Sequence, residues 1–438
     1  MSIAGTVMLA GGMCTGASAL WWLRSIAARG AGVQPAGDAR EAVAAAPVEL
    51  RTAVLLVTDS AQLALMWPAL KLGSIQTGYP NIVSAAYTEF GMSVDVQMLG
   101  GQSVKDWNND NTRAALAAYF GVPTVTVAAT DPGFVRLDLR VYDTLADTTA
   151  VPATAGVVDL EAVPVGVTED FDTWRVRVLY GHILLAGATG SGKGSVLWSI
   201  LAALGMAILT GLVDVWLADP KGGAEFGRGE NKLFVRFSTD TATILAMLNE
   251  AVEVMRERLA RMRAEGIRKI VPSTDEPLIL IIIDEAASLS SYATREEQQE
   301  FRRLTGLLLS QGRAAAVSVI AALQDPSKET MPNRQLFPIR IGLRLDEPTQ
   351  TTMVHGQGAR DRGARCDEIS EHTPGVGYVG EDGSTGFVRV RAFWVDDDAA
   401  DAIVAAYSPA PEITGPAEDY SDFDPDDLGD DDVDGVAA

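Results

Sequence analysis

The apolar positions change period several times along the chain, and each change marks an element. Residues 1–23 are an almost unbroken apolar stretch without a charged side chain, followed by Arg24 and Arg29. As a helix rising 1.5 Å per residue it reaches about 30 Å, the thickness of a bilayer core, so residues 1–24 read as a transmembrane or apolar N-terminal helix. Trp21 and Trp22 before Arg24 fit an interface with the bulk of the chain in the cytoplasm. Residues 25–48, rich in Ala, Gly and Pro, read as a linker. Asp59 to Leu72 has helical apolar spacing, and Met92, Val94, Val96 and Met98 then alternate with polar residues as in a half-buried strand. Ser103 caps the next predicted helix, which carries Trp107, Leu116, Tyr119 and Phe120 and stops at Gly121. Val122–Val127 and Val135–Val141 are two further strands. Together, residues 49–154 read as a small α/β module with no constellation that suggests chemistry.

From residue 155 the pattern becomes that of a parallel sheet. His182–Ala186, Val213–Ala218, Leu278–Ile283 and Val317–Leu323 are short apolar runs of buried-strand length, and Ile339–Leu345 alternates. The fold class is therefore α/β: a mostly parallel central sheet of RecA-like type from residue 155 on, preceded by the small α/β module.

Composition narrows the function. Formal net charge is −23, which excludes coating nucleic acid by bulk electrostatics. Half of that charge sits in residues 409–438, where positions 411–438 hold eleven acids and no base. With little apolar surface to bury, this segment reads as a disordered acidic tail, a solubilising tail or a competitor with DNA for basic surface. Two cysteines, Cys14 and Cys366, and three histidines, His182, His355 and His372, lie too far apart for a disulfide framework or a zinc motif.

The chemistry sits at two strand ends. The first strand runs into Gly187-Ala188-Thr189-Gly190-Ser191-Gly192-Lys193 and then a helix. That context makes a phosphate loop: glycines let backbone N–H groups wrap a phosphate, the helix N-terminus adds its positive end, and Lys193 reaches the β and γ phosphates of ATP. The position after the lysine, commonly a Ser or Thr that ligates Mg2+, is Gly194. Ser195 follows, turned by about 100° around the helix. About ninety residues on, the aliphatic strand Leu278–Ile283 ends in Asp284-Glu285. Asp284 is the magnesium candidate and Glu285 the group that orients or activates the attacking water. The carboxylate after the aspartate favours an ATPase over a GTPase switch. Gln324, ending Val317–Leu323, is placed beside the γ-phosphate, and Asp219 should converge on the same region.

GATGSGKGS, DPKGG, LILIIIDEAA, QGRAAAVSVIAALQDPS and FPIRIGLRL occur in the order and approximate spacing of the motor domain of the FtsK/SpoIIIE family. The resemblance covers residues 155–408 and is closest to the actinobacterial branch of conjugative plasmid and mobile-element transfer proteins, which also carries GKGS. It implies a ring-forming, usually hexameric ATPase that moves double-stranded DNA through a central channel. It further implies that Arg313 projects into a neighbour's ATP site, with Arg340 a second arginine of interest. No winged-helix module follows the motor, so a separate DNA-loading partner is expected. Location on the cytoplasmic side of the membrane follows if residues 1–24 anchor the chain, and in the cytoplasm otherwise.

Channel contacts to DNA are sought among Lys221, Lys328 and Arg334 in loops. The cluster Arg256, Arg258, Arg261, Arg263, Arg268 and Lys269, on or after a predicted helix, reads better as a solvated face. Two other functional classes stay open: an ATPase driving protein export, as in type VII secretion, and a nucleotide-gated scaffold that hydrolyses little.

Overall fold

The computed structural model describes residues 39–409 except 153–155, 157, 328–329, 382 and 385. The N-terminal apolar stretch, the acidic tail from residue 410 and the loop lysine Lys328 lie outside the described residues. Among the described residues, no helix is long and apolar enough to cross a membrane.

The first unit is an antiparallel sheet of β1 (Asn81–Thr88), β2 (Gly91–Gln97), β3 (Thr124–Ala129) and β4 (Phe134–Arg140), in the order β1-β2-β4-β3. Its inward side chains, among them Met92, Val94, Val96, Leu137 and Leu139, pack with Trp67, Trp107 and Phe120 from helices. Those helices are α1 (Ala39–Ala45), α2 (Arg51–Thr58), α3 (Ser60–Ala69), α4 (Val104–Asn108) and α5 (Asp110–Phe120). Three details differ from the sequence expectation. The helix after Ser103 is two helices, because Asn109 takes an extended conformation and caps α5 through Thr112. Strand β1, whose Ile82–Tyr87 side chains are mostly half-buried, lacks a clean alternation and was not predicted. The segment 25–48 is not wholly a linker: its alanines form α1, and Ala42 and Val43 pack against this core.

The second unit is a ten-stranded sheet. Its strands are β5 (Val163–Thr168), β6 (Thr173–Val176), β7 (Ile183–Ala186), β8 (Val213–Ala218), β9 (Arg236–Ser238), β10 (Leu278–Ile283), β11 (Val317–Leu323), β12 (Ile339–Leu343), β13 (Val376–Glu381) and β14 (Val388–Ala392). The spatial order is β6-β5-β14-β13-β12-β7-β11-β10-β8-β9. From β12 to β9 every pairing is parallel, and from β12 out to β6 every pairing is antiparallel.

The unbroken aliphatic run of β10 follows from burial on both faces. Leu278, Leu280 and Ile282 face one core, with α6 (Lys193–Leu209) and α11 (Asp397–Tyr407). Ile279, Ile281 and Ile283 face the other, with α7 (Thr241–Glu265) and α9 (Arg295–Gln311). Two short helices, α8 (Ala286–Ser290) and α10 (Pro348–His355), complete the set. This is a RecA-like P-loop NTPase fold, with all parallel strands delivering their carboxyl ends to one edge.

Arginines clamp the two units together. Arg365, almost fully buried, donates to the backbone oxygen of Asn108 and pairs with Asp110 and Glu368. Arg389 makes a two-pronged contact to Asp143, at 2.7 and 2.8 Å.

Candidate functional site

The turn between β7 and α6 is built by glycines at the positions where a side chain would strain the backbone. Gly190 and Gly192 have φ of 73° and 96°, the left-handed region open to glycine. A Cβ at Gly192 would also run into the backbone of Gly375. The loop is tethered on three sides. Gly187 N donates to Leu323 O of β11 at 3.1 Å, Ala188 N to Arg344 O at 2.8 Å, and Gly375 N to Ser191 O at 2.8 Å. The Arg344 guanidinium returns a bond of 2.8 Å to Thr189 O. Helix α6 begins at Lys193, so its first N–H groups lack intrahelical acceptors and open toward the loop.

Lys193 is buried, and its Nζ donates to Gly187 O at 2.6 Å and Ala188 O at 3.3 Å. Burial pushes its ammonium below the usual range, with the charges of Glu285 and Asp284 opposing. Ser191 is buried too, and its hydroxyl has no hydrogen-bond partner.

The acids stand at the end of β10. Asp284 Oδ2 accepts from Lys221 Nζ at 2.7 Å, and the same Nζ is 3.9 Å from Glu285 Oε2. Glu285 Oε1 accepts from Ala287 N and Gln324 N, each at 3.4 Å, whereas its buried Oε2 has no hydrogen-bond partner. Gln324 reaches the loop, its Oε1 accepting from Thr189 Oγ1 at 3.0 Å. Lys193, Asp284, Glu285 and Gln324 are thus gathered at neighbouring strand ends.

Two members of the site escaped the sequence reading. Lys221, sought as a channel contact, is instead the partner of Asp284; burial alone would depress its ammonium, and the hydrogen bond and charge of Asp284 carry it upward. Glu225 lies beside Gly194, where a Cβ would overlap its Oε1. Although the residue is exposed along its length, its head group is partly desolvated, which raises its carboxyl, and the charge of Asp284 adds to this. Asp219 converges differently from expectation: fully buried, it accepts from Lys221 N and Phe226 N and shapes the loop carrying both residues.

Arg313 lies at the opposite edge of the sheet. It precedes β11, whose far end, Leu323, pairs with Ala186 beside the P-loop. At about 3.3 Å per residue, strand β11 alone separates Arg313 from that end by roughly 20 Å. There it shares a cavity of about 420 Å³ with Arg177, Arg268, Lys269 and Glu161. Arg340 is turned onto its own loop, donating to Phe337 O and Gln335 O.

Among the cations after α7's midpoint, Arg258 is not a solvated residue: it is buried and donates to Ala315 O, Ala316 O and Pro277 O. His182 and His355 are buried and pushed down to about 3 by desolvation, hence neutral, and buried Cys366 is pushed up to about 12. None of the three suits proton transfer or nucleophilic chemistry at neutral pH. Among the described residues no group of His, Cys, Asp and Glu could hold a metal ion by itself.

Fold and site together define a P-loop NTPase of RecA-like fold. The FtsK/SpoIIIE family profile matches residues 149–276 of the chain. The transfer protein TraSA of Streptomyces ambofaciens is 29% identical over 336 residues, covering 72% of this chain and 78% of the relative. The DNA translocase FtsK of Lactococcus lactis subsp. cremoris is 27% identical over 271 residues, covering 55% of this chain but 33% of the relative. Among solved structures, the pCW3 conjugation coupling protein TcpA aligns with a TM-score of 0.49 and 19% identity, over 79% of this chain and 98% of that one.

Proposed function

We propose that this protein is an ATP-driven translocase of double-stranded DNA, working as a ring, usually of six copies, in the transfer of a plasmid or mobile element or in DNA segregation. The observation that carries the reading is the meeting of the P-loop lysine, Lys193, with the Asp284–Glu285 pair, at strand ends with only β11 between them, in a chain that the FtsK/SpoIIIE profile matches.

The parts divide as follows. In the loop from Gly187 to Ser195, the N–H groups of Gly187, Ala188 and Ser191 are spent on holding the loop's shape, those of Thr189, Gly190 and Gly192 through Ser195 cradle the phosphates, and Lys193 leaves its carbonyl acceptors to neutralise them. Glu285 orients the attacking water and takes its proton; its second oxygen, buried without a hydrogen-bond partner, is the free acceptor for that task. Gln324, already bonded to Thr189 and to Glu285, reports whether the γ-phosphate is present. Asp284 fits the magnesium of MgATP, since it is nearly inaccessible and otherwise neutralised by a lysine alone. When bound, the ion would draw negative charge from the β and γ phosphates.

Arg313, at the far edge of its own sheet, cannot serve its own P-loop. Its position supports action across a subunit boundary, where a guanidinium stabilises charge on the transferred phosphoryl group. The full chain should bind a fluorescent ATP analogue, and Lys193→Ala should weaken that binding by at least about 10-fold, the effect of losing one charged phosphate contact. Undiminished affinity in the variant, measured by equilibrium titration, would remove Lys193 from the phosphate site.

A further inference from the structure

Glycine at position 194 removes the hydroxyl that commonly follows the P-loop lysine, and the structure shows what stands in its space. A Cβ built on Gly194 would overlap Glu225 Oε1, with Glu225 Cδ at 2.7 Å and Oε2 at 3.2 Å. No serine or threonine fits there while Glu225 keeps its place.

That place is constructed. The chain leaves β8 through Asp219, turns at Gly222 and Gly223, each with φ of 79°, and is then fixed by Phe226. Phe226 is fully buried and stacks on Trp198 of α6, with ring centroids 5.2 Å apart. The residue before this anchor is thereby held against the first turn of the same helix that carries Lys193. A glutamate used only as a surface acid would need neither the paired left-handed glycines nor the aromatic clamp.

The charges around it are short of cations. Glu225, Asp284 and Glu285 are countered nearby by Lys221, which pairs with Asp284, and by Lys193, which belongs to the phosphates. One oxygen of Glu285, a residue only 6% exposed, has no hydrogen-bond partner. Such a set matches a hard dication that arrives with substrate phosphates and takes one or two protein carboxylates, not a site preformed from side chains alone.

We propose that Glu225 is the metal-positioning residue of this P-loop: its carboxylate replaces the missing hydroxyl, holding magnesium or a water of its shell, and Gly194 is glycine to admit it. The assignment rests on the nucleotide-binding reading above. Ser195, one step around the helix, is then not the substitute.

The test separates metal from nucleotide. Mn2+ binding to the full chain with ATPγS is followed by electron paramagnetic resonance, and ATPγS binding is measured in parallel with metal chelated by EDTA. Glu225→Gln should weaken Mn2+ about 10-fold or more, the usual range for loss of a metal-supporting carboxylate, while metal-free ATPγS affinity stays within about 2-fold. Gly194→Ser alone should also lose Mn2+ affinity, through collision with Glu225. The double variant Gly194→Ser/Glu225→Ala should recover it, because the hydroxyl then has both the room and the role. Unchanged Mn2+ affinity in Glu225→Gln, or no recovery in the double variant, overturns the assignment and leaves nucleotide binding standing. Failure of the unaltered chain to bind ATPγS under either condition overturns the nucleotide reading as well.

Discussion

Glu285 has one carboxylate oxygen tied to the backbone of Ala287 and Gln324 and one buried without a hydrogen-bond partner. Glutamine in its place keeps the tied acceptor and loses the proton acceptor. Glu285→Gln is therefore expected to bind ATP with affinity within about 3-fold of the unaltered chain and to turn over at least about 100-fold more slowly, the scale of a general base. Steady-state hydrolysis beside equilibrium binding checks this, and retained turnover would remove the base assignment. At this scale the legible residues were those contiguous in the chain. Gly187 through Lys193 and Asp284-Glu285 announce themselves because spacing alone fixes a loop and a strand end. Lys221, Glu225 and Arg344 did not, since each meets its partner through a turn whose path the sequence does not state: 63 positions separate Lys221 from Asp284, and 155 separate Arg344 from Thr189.

Elements were legible where burial is two-sided. β7 and β10 are continuous apolar runs, and β8 and β11 are broken only by Asp214 and Ser318, because helices cover both faces, and their ends bear the site. The misses came where local hydrogen bonding or neighbouring packing decides. Asn109 breaks one expected helix into two by accepting from Thr112 N at 2.9 Å. The alanines of Ala39–Ala45 are helical where a loose linker was expected, good helix formers given a core to lie on. The join between the two sheets was not visible at all, because arginines in one unit find acids and carbonyls in the other. Arg365 is among the most buried of them. Arg365→Ala is expected to lower the free energy of unfolding by about 1–3 kcal/mol, since the Asn108 carbonyl loses its charged donor while Asp110 and Glu368 stay partly solvated. Lysine should not rescue it, lacking the planar fork that serves several acceptors. Urea denaturation checks the prediction, with nucleotide binding retained as evidence that the damage stays at the join.

Over the whole molecule, charge and position carry the argument. A chain at −23 can move DNA only if cations are concentrated where the strand passes, and half of the excess acid belongs to a tail outside the described residues. The arginine expected to act on ATP sits at the far edge of its own sheet, a placement that acquires a use when a second copy presents its P-loop there. Turnover in this account belongs to an assembly gripping duplex, and it should rise when the assembly finds its track. The decisive measurement is the ATP hydrolysis rate of the full chain with long double-stranded DNA, with single-stranded DNA and with none, using Lys193→Ala as the blank. The account predicts several-fold stimulation by duplex, little by single strands, and loss of the duplex effect as salt is raised through the range that screens phosphate contacts. Hydrolysis above the blank but indifferent to duplex at low salt would contradict it, leaving an ATPase whose cargo is not DNA.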